Sequence, residues 1–578
     1  MPPESARADL PGRGRPRLGC LLALLAVAGG CGAGLLALVP GKGPPILSAL
    51  PSGDLLAVVE DADSLWRLLE SSERFARFKE GKVSRSLKSS AVWRELARAL
   101  EPASSAGLLD RSRASHLVGR EAGLSATLPR EGNRASWIAA FRIDTAARVA
   151  ELLARRFVLR GRLRLSEEEG VLIATMAGAA ARPDGGSISW ARMGDLLIAS
   201  ESEEALRRSV RSALAGGEAA DARARFGLAA LGSRPEGFRA SARLERPWEL
   251  ISSALGLSAR ERAELEGIAR ALAFPAPADG VAVSFELRGG ELLEESFVAG
   301  PVPVPGSGEA FAVRPAGSFL WWSFRPGRDE AVARLAGILR GLLPGGSAHE
   351  LELLRGSLRS RLGAEVAVAL AEQPGVETES GGFPAEFVFF RLAGAQGLSG
   401  TLEELLRGRS LGVFAEGDAL PTEYPYLLRH ALPGGALAYE MVIRDARRHE
   451  GYRPALSVRG DELVYSSSLD ALEAFLAGEG TSPGDRADAW LALDGARVLA
   501  LDWRTPSDTR PLRNAYEYVV ELRRFAGARA SELLRDDTDY AGLWTAIEDF
   551  LRELREQTRV GVREAGGLRM RARWRFAP

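Results

Sequence analysis

The longest apolar run in the chain covers residues 18–39 and contains no charged residue. At about 1.5 Å per residue, a helix of this length crosses the roughly 30 Å hydrocarbon core of a bilayer. Four arginines precede the run, whereas Lys42 is the first cation after it. Because segments rich in Lys and Arg stay in the cytoplasm, the pattern predicts a cytoplasmic tail at residues 1–17 and a single-pass transmembrane anchor at 18–39. The rest of the chain is then exported to the periplasm or beyond.

Two other interpretations of this apolar run stay open. A cleaved signal peptide has a shorter apolar region of about 7–15 residues, so the length favours an uncleaved anchor. The third interpretation is acylation of Cys31, because the small residues Gly29 and Gly30 precede it. However, Ala28 stands where a larger aliphatic residue is usual, and the residues that follow Cys31 stay apolar. An uncleaved anchor in the inner membrane is the favoured prediction.

Small residues recur at every fourth position of the run, at Ala26, Gly30 and Gly34. This small-xxx-small spacing lets two transmembrane helices approach closely. The spacing is therefore compatible with a homodimer through the anchor, although a stretch rich in Ala and Gly produces it easily by chance.

Beyond the apolar run, short segments rich in Val, Ile, Phe and Trp alternate with amphipathic stretches. The short segments are typical of β-strands, and stretches such as residues 202–214 and 331–343 are typical of helices. Paired glycines at 289–290 and 566–567 follow strand-like segments and indicate hairpins, whose strands are antiparallel. The pattern therefore predicts an α+β fold with mainly antiparallel sheets.

The pattern of residues 194–206 returns without a gap at residues 460–472. Further matches follow in the same order along the chain. They pair residues 50–59 with 314–323, 118–124 with 362–368, 136–142 with 386–391, and 280–290 with 559–567. Collinear matches of this kind indicate a tandem duplication.

The duplication predicts a division of the exported part into two related domains. It consists of a linker at 40–50, a first copy at 51–300, a Pro/Gly linker at 301–313 and a second copy at 314–578. The composition of residues 301–313 is typical of a semi-rigid linker. The predicted fold is thus a transmembrane helix followed by two tandem, mixed α/β domains of the α+β class.

The polar residues of the repeated segment have a structural explanation. Ser200 and Glu203 have the spacing of a capping box at the start of a helix, and Ser466 is placed to cap in the same way. Acidic residues in the first turn, Glu204 and Asp470, suit the positive end of the helix dipole. We therefore assign these side chains to turns and caps rather than to a binding site.

Composition narrows the class of protein. The 578 residues are 46% hydrophobic, and 75 Lys and Arg balance 76 Asp and Glu. High apolar content with a net charge near zero excludes intrinsic disorder as the main state. It also argues against nucleic acid as a partner, since binding by counterion release requires a basic surface. Both cysteines, Cys20 and Cys31, lie in the apolar run, so the exported part has neither a disulfide nor a thiol nucleophile.

The exported part shows no strong catalytic or cofactor-binding motif. Gly-x-Ser-x-Gly occurs at residues 408–412 and 480–484, but neither has the preceding strand and following helix of a nucleophile elbow. The four histidines are scattered, and there is no phosphate-binding loop or dinucleotide fingerprint. The sequence therefore predicts no catalytic residue, no cofactor and no enzyme. Carboxylates brought together by the fold, as in glycoside hydrolases, remain an alternative because they need no fixed spacing.

One acidic segment has part of the pattern of a calcium-binding loop. An EF-hand loop places oxygen ligands at positions 1, 3, 5 and 12 and glycine at position 6. Asp537, Asp539, Gly542 and Glu548 fit positions 1, 3, 6 and 12, whereas Ala541 at position 5 has no side-chain oxygen. The candidate metal ligands are Asp537, Asp539 and Glu548. The alternative is that Asp539 caps an ordinary amphipathic helix.

The chain resembles a loose family of uncharacterised bacterial envelope proteins that are membrane-anchored or secreted. The resemblance rests on residues 51–59, 92–100, 118–126 and 194–210. It implies a place in the bacterial envelope, and it implies no reaction, cofactor or catalytic residue.

These observations lead to one expected function and two alternatives. We expect a membrane-anchored extracytoplasmic protein that serves as a non-enzymatic binding or scaffold module, with a protein partner in the envelope. The first alternative is an envelope hydrolase that uses carboxylates placed by the fold. The second is a calcium-dependent adhesion protein that binds the ion through Asp537, Asp539 and Glu548.

Overall fold

The structure of the protein is a computed structural model. It describes residues 42–61, 121–127, 136–153, 163–177, 187–216, 239–245, 280–288, 291–300, 313–342, 358–373, 382–393, 412–422, 426–432, 435–442, 452–478, 480–481, 491–494, 497–525 and 540–576, with the single positions 64, 155, 159, 259, 263, 311 and 356.

Strands make up the larger part of these residues. They are β1 (Leu55–Glu60), β2 (Glu121–Thr127), β3 (Ser136–Arg142), β4 (Leu163–Glu168), β5 (Val171–Ala177), β6 (Ser187–Met193), β7 (Leu196–Ser200), β8 (Arg239–Leu244), β9 (Gly280–Arg288), β10 (Glu291–Ala299), β11 (Arg314–Pro315), β12 (Ser318–Phe324), β13 (Leu362–Ala371), β14 (Ala385–Leu392), β15 (Val413–Ala415), β16 (Tyr426–Ala431), β17 (Leu437–Val442), β18 (Ala455–Arg459), β19 (Glu462–Ser466), β20 (Gly480–Thr481), β21 (Arg497–Arg504), β22 (Leu554–Glu564) and β23 (Gly567–Phe576).

The helices are fewer. They are a 3₁₀ helix at Ile46–Ala49, α1 (Thr145–Leu153), α2 (Glu203–Leu214), α3 (Arg328–Leu342), α4 (Leu469–Leu476), α5 (Arg510–Phe525) and α6 (Tyr540–Glu553).

The predicted fold class is wrong, because most of the described residues belong to one large mixed β-sheet, which includes a parallel pair of strands, β15 and β16. All of the described strands except β11 and β20 belong to this sheet of 21 strands. β10 precedes the predicted linker at 301–313, yet it pairs with β23 at the other end of the chain, from Glu291 opposite Arg575 to Ala299 opposite Gly567. The alternation of apolar residues shows which face of a strand is buried, but it does not identify the neighbouring strand.

Within the described part of the chain, no helix has the length and apolar character needed to span a membrane. The predicted anchor at 18–39, and with it Ala26, Gly30 and Gly34, lies outside the described residues.

The chain divides into two compact units. Unit 1 comprises Met1–Pro51, Ala99–Leu124 and Ser136–Ala220, and unit 2 comprises Ser52–Arg98, Ser125–Ala135 and Asp221–Pro578.

In unit 1, strands β3, β7, β6, β5 and β4 are antiparallel neighbours in that order. Thr175 and Ser189 form a cross-strand pair, and Thr175 donates a hydrogen bond to Glu203 of α2. The next pair along the two strands contains Trp190, which donates to Glu151 of α1. Because neighbouring residues of a strand point to opposite faces, α1 and α2 lie on opposite faces of this part of the sheet.

In unit 2, strands β12, β13, β14 and β19 have a hydrophobic core on each face. On one face, Leu335 and Leu339 of α3 belong to a buried cluster with Phe390. On the other face, Phe475 of α4 lies edge-on against Phe389, with ring centroids 5.5 Å apart. The consecutive residues Phe389 and Phe390 therefore anchor two separate cores, as the alternation of a strand requires.

The matched segments 194–206 and 460–472 have the same local structure. Gly194 and Gly460 adopt φ values of 62° and 57°, the left-handed region that glycine enters without steric cost, and each begins a hairpin turn. A strand and then a helix follow each glycine, at the same spacing.

The predicted helix caps are displaced by two residues. The N-caps are Ser202 and Ser468, whose side chains accept hydrogen bonds from the third residue beyond them. Ser200 and Ser466 are the last residues of their strands, and their hydroxyls accept hydrogen bonds from the N–H groups of these two N-cap residues. Serine at two alternate positions fits both roles, so the spacing alone did not separate the true cap from its neighbour.

Candidate functional site

The end of β3 carries an arginine that holds together three parts of unit 1. Arg142 Nη1 lies 2.5 Å from Asp195 Oδ1 in the turn between β6 and β7, and its Nε lies 3.2 Å from Glu121 Oε2. Its Nη2 donates a 2.6 Å hydrogen bond to the carbonyl oxygen of Pro44. The Arg142 side chain is only 12% exposed, so these charge-assisted bonds are largely shielded from water.

An equivalent arginine stands at the matching position of unit 2. Arg391 lies opposite Glu462 in the β14–β19 pair, just as Arg142 lies opposite Leu196 in the β3–β7 pair. Arg391 Nη1 lies 2.7 Å from Asp461, and its Nε lies 3.5 Å from Glu365. The sequence matches already aligned these two acids with Asp195 and Glu121, so both clusters consist of the same three residue types.

The two clusters differ in what else they contact. In unit 2, the guanidinium carbon of Arg391 lies 4.8 Å from the centre of the Phe311 ring, a cation–π contact. Glu462 is also within 3.6 Å of Arg391, and burial raises the pKa of this carboxyl. In unit 1 the matching residue is the buried Leu196, and the cluster instead binds the backbone of residues 43–44.

The backbone of residues 43–44 is fixed from both sides. The Gly43 N–H donates a 2.8 Å hydrogen bond to Asp195 Oδ1, the same oxygen that Arg142 binds. A Cβ atom on Gly43 would lie 2.3 Å from the carbonyl oxygen of Met193, which is too close for any side chain. Glycine is therefore required where the chain passes over the β6–β7 turn.

The residues that follow are buried against α2. The 3₁₀ helix Ile46–Ala49 and Leu50 are at most 4% exposed. Ser209 of α2 donates to the carbonyl of Ala49, and Ser212 donates a 2.9 Å hydrogen bond to the carbonyl of Ser48. Residues 43–50 are therefore a docked part of unit 1. We call them the docked segment.

A second network ties α2 to the β4–β5 hairpin. Glu203, the first residue of α2, accepts hydrogen bonds from Arg207, Ser166, Arg164 and Thr175. The bond from Arg207 is the largest effect, and together with the other three it outweighs the cost of burial and lowers the pKa of Glu203 to about 2. This network was not found in the sequence, because its members come together only after three elements pack.

In unit 2, a buried histidine lies between two carboxylates. His430 Nδ1 is 2.8 Å from Glu416, and its Nε2 is 2.8 Å from Glu440. Arg453 donates two further hydrogen bonds to Glu440 and one to Asp470 at the start of α4. Burial raises the pKa of Glu440, but Arg453 and His430 more than offset this, and the net pKa is lowered. With both ring nitrogens occupied and 6% exposure, His430 serves as a structural link here.

The calcium-loop residues are only partly described. Residues 540–548, which correspond to positions 4–12 of the proposed loop, lie within the continuous helix α6. Glu548 accepts a 2.8 Å hydrogen bond from Arg552 and a 3.4 Å one from Thr509. Asp537 and Asp539 lie outside the described residues, so the calcium site stays a prediction. In the segments that the structure describes, no group of three or more His, Cys, Asp or Glu is placed to hold a metal ion.

Comparison with known proteins leaves the family open. No protein-family model and no curated protein matches the chain. Among solved structures, crystal form I of TP0453 is 9% identical, with a TM-score of 0.24, and the match covers 47% of this chain and 83% of that one. Crystal form III of TP0453 is 10% identical, with a TM-score of 0.23, and the match covers 46% of this chain and 83% of that one. At these scores the likeness carries no argument about fold or function.

Proposed function

We propose that the protein is a membrane-anchored extracytoplasmic protein of the bacterial envelope and acts as a non-enzymatic binding or scaffold module. The docked segment carries this proposal. It begins four residues after the apolar run at 18–39, and Arg142 and Asp195 bind its backbone. A scaffold has to present its surface at a constant position, and a docked connection to the membrane provides this better than a free linker.

The buried carboxylates of β10 are paired with other side chains of the protein, which also supports a structural role. Glu294 accepts hydrogen bonds from both Arg559 and Trp574. Glu295 is paired with Arg569 and Arg571. Trp574, Arg569 and Arg571 lie on β23, the neighbour of β10, and Arg559 lies on β22, one strand further. The two carboxylates are at most 7% exposed. Carboxylates held in this way stabilise the sheet rather than face a substrate.

The matching clusters around Arg142 and Arg391 support a tandem duplication. We propose that the repeated segments were copied together and now build one sheet. Each arginine lies at the end of the matching strand, and each is paired with an aspartate that follows a turn glycine. Such agreement between sequence matches and side-chain contacts is not expected of unrelated segments.

Protease protection tests the membrane placement. In intact spheroplasts of cells that express the full chain, added protease should degrade the part after residue 50, and an alkaline carbonate wash should leave the undigested protein in the membrane fraction. A variant with Leu21→Arg and Leu25→Arg interrupts the apolar run and should be lost from that fraction, because arginine in the bilayer centre is costly. Full protection in spheroplasts, or release of the unaltered chain by carbonate, would contradict the proposal.

A further inference from the structure

One end of unit 1 is defined by the turns of its antiparallel strands. Ile173 of β5 lies opposite Ala191 of β6, so the turn before β5 and the turn after β6 are at the same end. These turns contain Glu169 and Gly194. Gly43 also lies there, because it bonds to the β6–β7 turn. We call this the turn end of unit 1.

Helix α2 returns to the turn end. Strand β7 leads away from it for five residues, about 17 Å, and α2 runs for twelve residues, about 18 Å. Ser212, near the C-terminus of α2, bonds to Ser48 of the docked segment, which confirms the direction of the helix. Leu214 therefore lies at the turn end, and Glu204 lies at the opposite end of the same helix.

Two exposed apolar side chains of unit 1 lie at this end, and a third, Leu165, lies midway along β4, opposite Ala174. Among the described residues of unit 1, the exposed large hydrophobic residues are Leu165, Leu172 and Leu214, at 51%, 38% and 46% exposure. Leu172 is the second residue after the β4–β5 turn, and Leu214 ends α2. The side chains of Arg208 and Arg211 are exposed on α2 as well. Leu214 lies beside these arginines, one of which, Arg211, is also 3.3 Å from Glu168, whereas Leu172 lies on the opposite face of the sheet because Thr175 of the same strand faces α2. An exposed leucine next to arginines is typical of a surface that meets lipid headgroups.

The connection to the apolar run limits how far this end can lie from a bilayer. Four peptide steps separate residue 39 from Gly43, and a fully extended chain covers about 14 Å over that distance. Since Gly43 is hydrogen-bonded to the β6–β7 turn, the turn end also lies within about this distance of residue 39.

We infer that the turn end of unit 1 is a bilayer-facing surface that contacts the lipid headgroups of the membrane holding residues 18–39. This inference rests on the proposed function. Two glutamates limit how deeply this surface can enter the bilayer. Glu167 and Glu169 lie at the β4–β5 turn, and burying carboxylates in hydrocarbon is too costly. Leu172 and Leu214 therefore reach the headgroup layer, and the hairpin does not enter the acyl chains.

Fluorescence quenching in vesicles tests this surface. The full chain, with Cys20→Ser and Cys31→Ser, receives one new cysteine by Leu172→Cys, Leu214→Cys or, as the matched control on the same helix, Glu204→Cys. Each variant is labelled with bimane and reconstituted into phosphatidylcholine–phosphatidylglycerol vesicles that carry a spin label either on the headgroup or deep in the acyl chain. We expect headgroup-labelled lipid to quench bimane at positions 172 and 214 several-fold more than at 204, and acyl-chain label to quench all three weakly.

The outcomes separate this inference from the proposed function. If the protein remains with the vesicles after a carbonate wash but all three positions are quenched alike, the bilayer-facing surface is wrong and the membrane anchor stands. Strong quenching by the acyl-chain label at 172 or 214 would overturn the headgroup depth. If carbonate releases the protein and no position is quenched, both the proposed anchor and the surface are wrong.

Discussion

Glu295 and Arg571 face each other at the middle of the β10–β23 ladder, and each is the fifth residue of its strand. Glu295 Oε1 lies 3.4 Å from Nε of Arg571 and 3.0 Å from Nη1 of Arg569. If the two strands were identical copies about a two-fold axis, the central residue would face a residue of its own kind and charge. Opposite charges at these matching positions replace that repulsion with attraction.

Removal of the central acid should destabilise unit 2. Glu295→Gln removes the paired carboxylate of Arg571 and leaves Arg569 with Glu564 alone, in a buried setting, and we expect a loss of about 3 kcal/mol in the free energy of unfolding. Urea denaturation followed by tryptophan fluorescence measures it. Glu167→Gln, at an exposed position of β4, is the control and should change little. Equal stability of the Glu295→Gln variant and the unaltered protein would show that the ladder does not depend on this charge.

Loss of Arg142 should release the docked segment. Arg142→Gln removes two ion pairs and weakens the bond to the Pro44 carbonyl, and charge-assisted bonds of this kind contribute about 1.5–3 kcal/mol each. Endoproteinase Lys-C cleaves after Lys42, next to the docked segment, and we expect this cleavage to become about tenfold or more faster. Mass spectrometry of the fragments follows the rate. Arg391→Gln is the matched control, and an equal acceleration there would mean that the effect is general destabilisation.

A methyl group on Gly43 should have a similar effect for a steric reason. Gly43→Ala places Cβ 2.3 Å from the Met193 carbonyl oxygen, so the backbone has to move away from the β6–β7 turn. We expect faster cleavage at Lys42 and a lower melting temperature. Gly337→Ala is the control, because nothing lies within 4 Å of a Cβ there and alanine favours the helix α3. It should leave the melting temperature unchanged or raise it slightly.

Acid should weaken the contact between α2 and the β4–β5 hairpin. The folded-state pKa of Glu203, lowered to about 2, lies below its ordinary value of 4.5. A carboxyl with a lowered pKa stabilises the fold above its unfolded pKa, and this stabilisation is lost as the pH falls from about 4.5 to about 2. Glu203→Gln should therefore lower stability at neutral pH and flatten the dependence on pH in that window, as thermal unfolding at a series of pH values would show. Glu204→Gln, at the exposed neighbouring position, should keep the original profile.

Much of the local structure was predictable from the sequence. The helix at residues 202–214 was expected from its amphipathic pattern, and α2 with its cap at Ser202 confirms it. The hairpin at residues 566–567 was expected from its paired glycines, and the antiparallel pairing of β22 with β23 and the positive φ of Gly566 confirm it. These features depend on residues close in sequence, so the spacing of apolar, polar and glycine residues is enough to predict them.

The contacts between distant residues were not predictable in the same way. The sequence matches aligned Glu121, Arg142 and Asp195 with their counterparts in unit 2, but they did not show that the three side chains meet. Their meeting depends on strand order and register, which place Arg142 opposite Leu196 and so next to the β6–β7 turn. The docking of residues 43–50 was missed for the same reason: a Pro/Gly-rich start is typical of a linker, and only the surface of α2 makes it a buried segment.

The β10–β23 ladder also has a consequence for the order of folding. Among the described strands, β10 pairs with β9 and β23, and β23 begins at residue 567 whereas β10 ends at residue 299. A chain that is synthesised from its N-terminus leaves one edge of β10 unpaired until residues 567–576 have been made. The nine residue pairs of the ladder therefore form late, and closing them brings together positions far apart in the chain, which makes folding slow. During that delay, the acidic side chains of Glu291, Glu294 and Glu295 protect the open edge against pairing with other chains.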